Sequence, residues 1–88
     1  MEIIFLPQAD ADLEYWKETG NTRILKRIRD LLEDIQLHPF SGIGKPEALK
    51  GTNGKWSRRI TDEHRLVYSV GSGRIYVYVI SLRYHYSK

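Results

Sequence analysis

The chain has 88 residues, 41% hydrophobic and 28% charged, which suits one small domain with one modest core and excludes a disordered segment. It has no cysteine, so disulfides and cysteine-ligated zinc are excluded, and His38, His64 and His85 lie too far apart for a ligand cluster, so no metal or cofactor is expected. The net charge of +3 is uneven: residues 1–44 stand at −3 and residues 45–88 at +6, so the second half reads as a surface for a polyanion or an acidic partner, or as a well-solvated basic face.

Glu2 to Leu6 is a short apolar run of strand type. It is far too short for a signal core or a membrane span, and acidic residues follow it, so the expectation is a soluble, cytoplasmic protein without a membrane partner. Pro7 stands where a helix can start, because the first helical position needs no N–H. Ala9, Leu13 and Trp16 follow at helical spacing, and Gly20 is a C-terminal stop. A second helix starts at Asn21 or Thr22, either of which can cap it. Ile24, Ile28, Leu31 and Ile35 share one face, widened by Leu25 and Leu32, and His38-Pro39 ends the helix.

Residues 39 to 54 hold two prolines and four glycines and read as a long loop, a segment type that is often functional. Three strands follow. In Lys55 to Ile60, alternation sets Trp56, Arg58 and Ile60 against Lys55, Ser57 and Arg59. In Arg65 to Val70 it sets Leu66, Tyr68 and Val70 against Arg65, Val67 and Ser69. Gly71-Ser72-Gly73 signals a hairpin into a long strand, Arg74 to Leu82. The order β-α-α-β-β-β predicts a single α+β domain over residues 1–88, with both helices on one face of a twisted, mainly antiparallel sheet and the other face left for function. Arg59 and Arg65 fall on adjacent strands, where two arginines repel unless an anion lies between them.

Few residues can do acid–base chemistry. Glu47 lies between Lys45 and Lys50, cations that keep a carboxylate ionised and able to accept a proton; a simple ion pair with either lysine is the alternative. Arg65 can grip phosphate oxygens or make a salt bridge with Asp62 or Glu63. The chain closes with Arg83-Tyr84-His85-Tyr86, where His85 is a potential general acid near neutral pH or an exposed tail histidine. Tyr84 and Tyr86 can stack on bases or pack on a strand. Gly42-Ile43-Gly44-Lys45 is no phosphate loop, since Pro46 follows the lysine, and His64 beside Glu63 is no pair, since strand neighbours point apart. Trp16 and Trp56 read as core or interface residues. One carboxylate, one histidine, several cations and stacking rings suit cleavage of RNA by its own 2′-hydroxyl, a route closed to DNA.

Three blocks, Gly44 to Lys50, Trp56 to Tyr68 and Arg83 to Tyr86, resemble the YoeB (Txe/YoeB) toxins of bacterial type II toxin–antitoxin systems, in the RelE superfamily. Each block is short, but their order and spacing are specific, and the likeness covers nearly the whole chain. It implies a RelE-like fold and a metal-independent endoribonuclease that cleaves A-site mRNA on the 70S ribosome, leaves a 2′,3′-cyclic phosphate and blocks translation. It implies a homodimer and a YefM-like antitoxin, with operator DNA contacted only through that antitoxin as the pair represses its operon. By matching position, Glu47 is the general base, His85 the general acid, and Arg65 the stabiliser of the transition state. Lys50 and Arg59 hold phosphate, Tyr86 orients the substrate, and Lys45 and Arg58 are supporting cations. Arg83 and Tyr84 join the RNA-binding set. Ala48 departs from the proline often found there, and Ser87-Lys88 extend past the usual terminal tyrosine. Two other readings stay open: a non-enzymatic ParE-like gyrase inhibitor, and a ribosome-independent RNase.

Overall fold

The structure, a computed structural model, describes residues 1–81. Its elements are β1 (Glu2–Phe5), α1 (Pro7–Thr19), α2 (Thr22–Leu37), β2 (Glu47–Ala48), β3 (Trp56–Arg59), β4 (Arg65–Gly71) and β5 (Arg74–Ser81). The sheet runs β1-β5-β4-β3-β2, with β1 parallel to β5 and every other pair antiparallel. Both helices and the mainly antiparallel sheet are as expected. The addition is β2, two residues inside the stretch expected to be a loop.

Local chemistry sets the helix ends. Pro7 sits at the start of α1, and Gly20 closes it in the left-handed region at φ 68°. Asn21 caps α2 by accepting the N–H of Ile24 at 3.2 Å. Ile24, Ile28, Leu31, Leu32 and Ile35 line the buried face of α2 and cluster with Ile60, just past β3, and with Leu66, Tyr68, Ile75, Val77 and Ile80 from the sheet. Each such side chain contributes about 1.5–3 kcal/mol of transfer free energy, as an upper estimate. Among the described residues, no helix is long and apolar enough to cross a membrane.

The β4–β5 turn uses Ser72 and Gly73, both at positive φ (55° and 73°), which a two-residue I′ hairpin requires. Further along, the register slips: Val67 pairs with Val79 but Tyr68 pairs with Val77, so Tyr78 is a bulge. The extra residue turns Ile80 toward the helices, beside Ile75 and Val77.

A buried arginine holds the segment between α2 and β2. Arg58 is 0% exposed and uses all five of its N–H groups. Nη1 donates to the Asp34 carboxylate at 2.5 Å and to the Ile43 carbonyl at 3.1 Å. Nη2 donates to the carbonyls of His38 and Ser41, and Nε donates to the Tyr68 hydroxyl at 3.2 Å. Tyr68 in turn donates to the Pro39 carbonyl at 2.7 Å. Arg58 beside Asp34 holds that carboxyl below the usual carboxylate range, while burial pushes the Tyr68 phenol up. Two glycines let the segment pass. A Cβ on Gly42 would stand 2.0 Å from Oδ2 of Asp34, and one on Gly44 would stand 2.7 Å from Leu31 Cδ2.

Candidate active site

Strand register builds the site. Glu47 pairs with Ser57, and Arg59 pairs with Arg65. Cross-strand partners share a face of the sheet, and Ser57 and Arg59 are two residues apart on one strand. All four therefore project from the face opposite the helices. They line an open cleft of about 300 Å³ together with Lys45 and Pro46.

The loop carrying Glu47 is pinned at both ends. Upstream, the Arg58 network ties residues 38–43 to α2 and to the sheet, and Arg59 donates its N–H to the Gly44 carbonyl at 2.7 Å. Gly44 and Lys45 both take positive φ, 81° and 51°, which turns the chain sharply into β2. Downstream, the Leu49 N–H meets the Lys55 carbonyl at 2.9 Å and Thr52 donates its hydroxyl to the Leu49 carbonyl at 2.6 Å.

Glu47 is exposed and makes no ion pair with Lys45 or Lys50. Arg65 makes no salt bridge with Asp62 or Glu63. Its Nη1 instead donates to the carbonyls of Thr61, Asp62 and His64 at 3.0–3.2 Å and closes the β3–β4 turn. Nε and Nη2 of Arg65 have no hydrogen-bond partner among the described residues, which leaves a two-pronged donor for an anion. Three cations surround one carboxylate, a charge balance that draws a phosphate into the cleft.

Two expected cations fall elsewhere. Arg58, expected among the phosphate-binding residues, is buried with every donor occupied, so it serves the loop and cannot reach an RNA. Lys50 is exposed in the β2–β3 turn and is not among the residues lining the cleft. Arg83, Tyr84, His85 and Tyr86 lie outside the described residues. Residue-type reasoning missed Asp34 and Tyr68 as partners of Arg58, and Ser57 as a wall of the cleft. A signal for Arg58 existed, since alternation put it on the same face as Trp56 and Ile60. His64 packs its ring edge on Trp16 at 4.8 Å and does not line the cleft.

The sequence model of the YoeB-like toxin of bacterial type II toxin–antitoxin systems matches residues 5–86. The chain belongs to this family. It is 46% identical to the toxin YoeB of Escherichia coli K12 over 87 residues, 98% of this chain and all of that one. It is similar to the YoeB of Staphylococcus aureus solved as a dimer, at TM-score 0.87 and 40% identity over 97% of each chain. It is also similar to the S. aureus YoeB solved in a heterotetrameric complex with YefM, at TM-score 0.85 and 40% identity over 97% of each chain. This YoeB-like chain thus carries the family fold from β1 to β5. Its cleft is formed by Lys45, Glu47, Arg59 and Arg65.

Proposed function

We propose that this toxin is a ribosome-dependent endoribonuclease that cuts A-site mRNA by metal-independent acid–base chemistry and so stops translation. One observation carries the reading: Glu47, free of any ion pair among the described residues, shares a cleft with the cross-strand pair Arg59 and Arg65. In the reaction, Glu47 takes the 2′-hydroxyl proton and the 2′-oxygen attacks the adjacent phosphorus. The bond to the 5′-oxygen breaks, that oxygen takes a proton from His85, and a 2′,3′-cyclic phosphate remains. Arg65 and Arg59 hold the charge that builds on phosphorus, and Lys45 supports them. Tyr86, Tyr84 and Arg83 orient the strand. A partly exposed site with one carboxylate gains from a ribosome that fixes the mRNA for it. The S. aureus relatives support a homodimer and a YefM-like antitoxin as partners, and with that antitoxin the toxin acts as co-repressor of its operon.

The test is cleavage of a reporter mRNA in a translation extract, mapped by primer extension. Glu47→Gln and His85→Ala should each lower cleavage by roughly 10²–10⁴-fold. Variants that cut like the parent would remove the acid–base assignment. Inhibition with intact mRNA and blocked DNA supercoiling would point to gyrase instead. Equal cleavage of naked RNA would end the dependence on the ribosome.

A further inference from the structure

The cleft does not end at Arg59. A second hollow of about 400 Å³ shares Lys45 and Arg59 with it and extends to Arg27, Thr61 and Asp62. A third, of about 380 Å³, shares Arg27, Ile60 and Thr61 with the second and reaches Arg23 and Asn21 at the start of α2. The second and third hollows, joined by these shared residues, make a trough that starts at the cleft and passes the end of β3.

Four cations line the trough in order: Lys45, Arg59, Arg27 and Arg23. None makes an ion pair within the described residues. Outside the trough, Lys26 pairs with Asp30 at 3.0 Å and Arg74 with Glu2 at 3.0 Å. Asp62 is the single carboxylate in the trough. Arg27 is partly fixed, because it donates to the Arg59 carbonyl at 3.4 Å. A row of like charges in one groove raises the folding free energy unless an anion occupies it.

We propose that this trough is a second phosphate-binding site, which holds backbone phosphates of the substrate strand beyond the scissile one. It rests on the ribonuclease reading and extends it. The occupant is an RNA strand, not a separate acidic protein, because the trough opens into the cleft and shares two of its cations. Whatever lies at Arg23 and Arg27 continues into the reacting position. Contacts there are to phosphate alone, so they add affinity without base preference.

The probes are fluorescent oligoribonucleotides of three and nine nucleotides, blocked by a 2′-O-methyl group at each sugar, with binding read by anisotropy. The parent should bind the nonamer more tightly than the trimer. Arg23→Gln/Arg27→Gln should lose roughly tenfold on the nonamer, with the slope of log K against log salt shallower by about 1.4. The trimer, too short to span both sites, is the internal control. Arg23→Gln alone, at an exposed position, gives half the change in slope and covers the case in which the double variant folds poorly. A parent with no gain from length would overturn the trough. So would a double variant with unchanged nonamer binding and weakened antitoxin binding, which would assign the surface to a protein. If the parent binds the nonamer through the trough while Glu47→Gln leaves mRNA cleavage intact, the catalytic reading fails and the trough stands.

Discussion

The carboxylate of Asp12 on α1 accepts the backbone N–H of Ile80 on β5 at 2.9 Å. One turn further along the helix, Trp16 donates its indole N–H to the carbonyl of the same residue at 2.8 Å. Both groups lie beyond Val77, where β1 stops pairing, so α1 supplies with side chains what a longer β1 would supply with backbone. In sequence, this strand is followed by the segment that holds His85.

Asp12→Ala leaves that buried N–H without an acceptor and is expected to cost about 1–3 kcal/mol. Asp12→Asn keeps a carbonyl oxygen at the same place and should cost less. Urea unfolding of the three proteins measures the difference. Equal losses from both substitutions would mean that the negative charge, not the acceptor, is what matters.

Arg58 is the buried partner of the Arg58–Asp34 pair, and Asp34 stays partly exposed. Arg58→Met removes five hydrogen bonds, three to carbonyls of the 38–43 segment and one each to Asp34 and Tyr68, and about 3 kcal/mol or more of destabilisation is expected. The pair also gives a pH signature. Arg58 depresses the Asp34 pKa in the fold, so its stabilisation is complete above the unfolded value of about 4 and is lost as pH falls through the lower folded value. The stability gap between the parent and Asp34→Asn should therefore be large at pH 7 and shrink below about pH 4. A gap that stays constant across that range would sink the electrostatic account.

Much of this was readable from the sequence where one period dominates. The α2 stripe and the Ser72-Gly73 turn each carry their own local signal, and Arg59 and Arg65 could be brought to one face by pleat and turn alone, whereas the place of Glu47 could not. The bulge at Tyr78 could not. Strict alternation from Arg74 groups Ile80 with Tyr76 and Tyr78, and nothing in a run of β-branched and aromatic residues says which one is doubled. β2 is equally silent, since two residues have no period. Arg58 carries conflicting signals: its charge argues for the surface while its neighbours Trp56 and Ile60 argue for the core. The core won because Asp34, Tyr68 and three carbonyls together satisfy every donor.

Two glycines separate backbone strain from crowding. Gly51 has φ 71° with nothing within 4 Å of an added Cβ, whereas Gly44 has φ 81° with Leu31 Cδ2 at 2.7 Å. Gly51→Ala should cost about 1–2 kcal/mol from the left-handed backbone alone. Gly44→Ala should cost more, because Leu31 or β3 must also shift. Thermal melts of both variants test the order, and equal costs would mean that Leu31 moves aside freely.

Arg65 and Arg59 face each other as cross-strand partners, yet lysine should not replace them equally. Arg65 spends Nη1 on three carbonyls of its own turn and keeps Nε and Nη2 for an anion. A lysine has one nitrogen and cannot do both. Arg65→Lys should therefore lose roughly 10²–10³-fold in mRNA cleavage despite its retained charge. Arg59 has no such side-chain bonds to the turn, so Arg59→Lys should lose less. The exchange leaves the proposed proton-transfer groups Glu47 and His85 in place, so the pH–rate profile of Arg65→Lys should keep its shape while its height drops. A profile displaced along the pH axis would mean that Arg65 works by setting the pKa of Glu47 or His85, and its role as a direct phosphate contact would have to be given up.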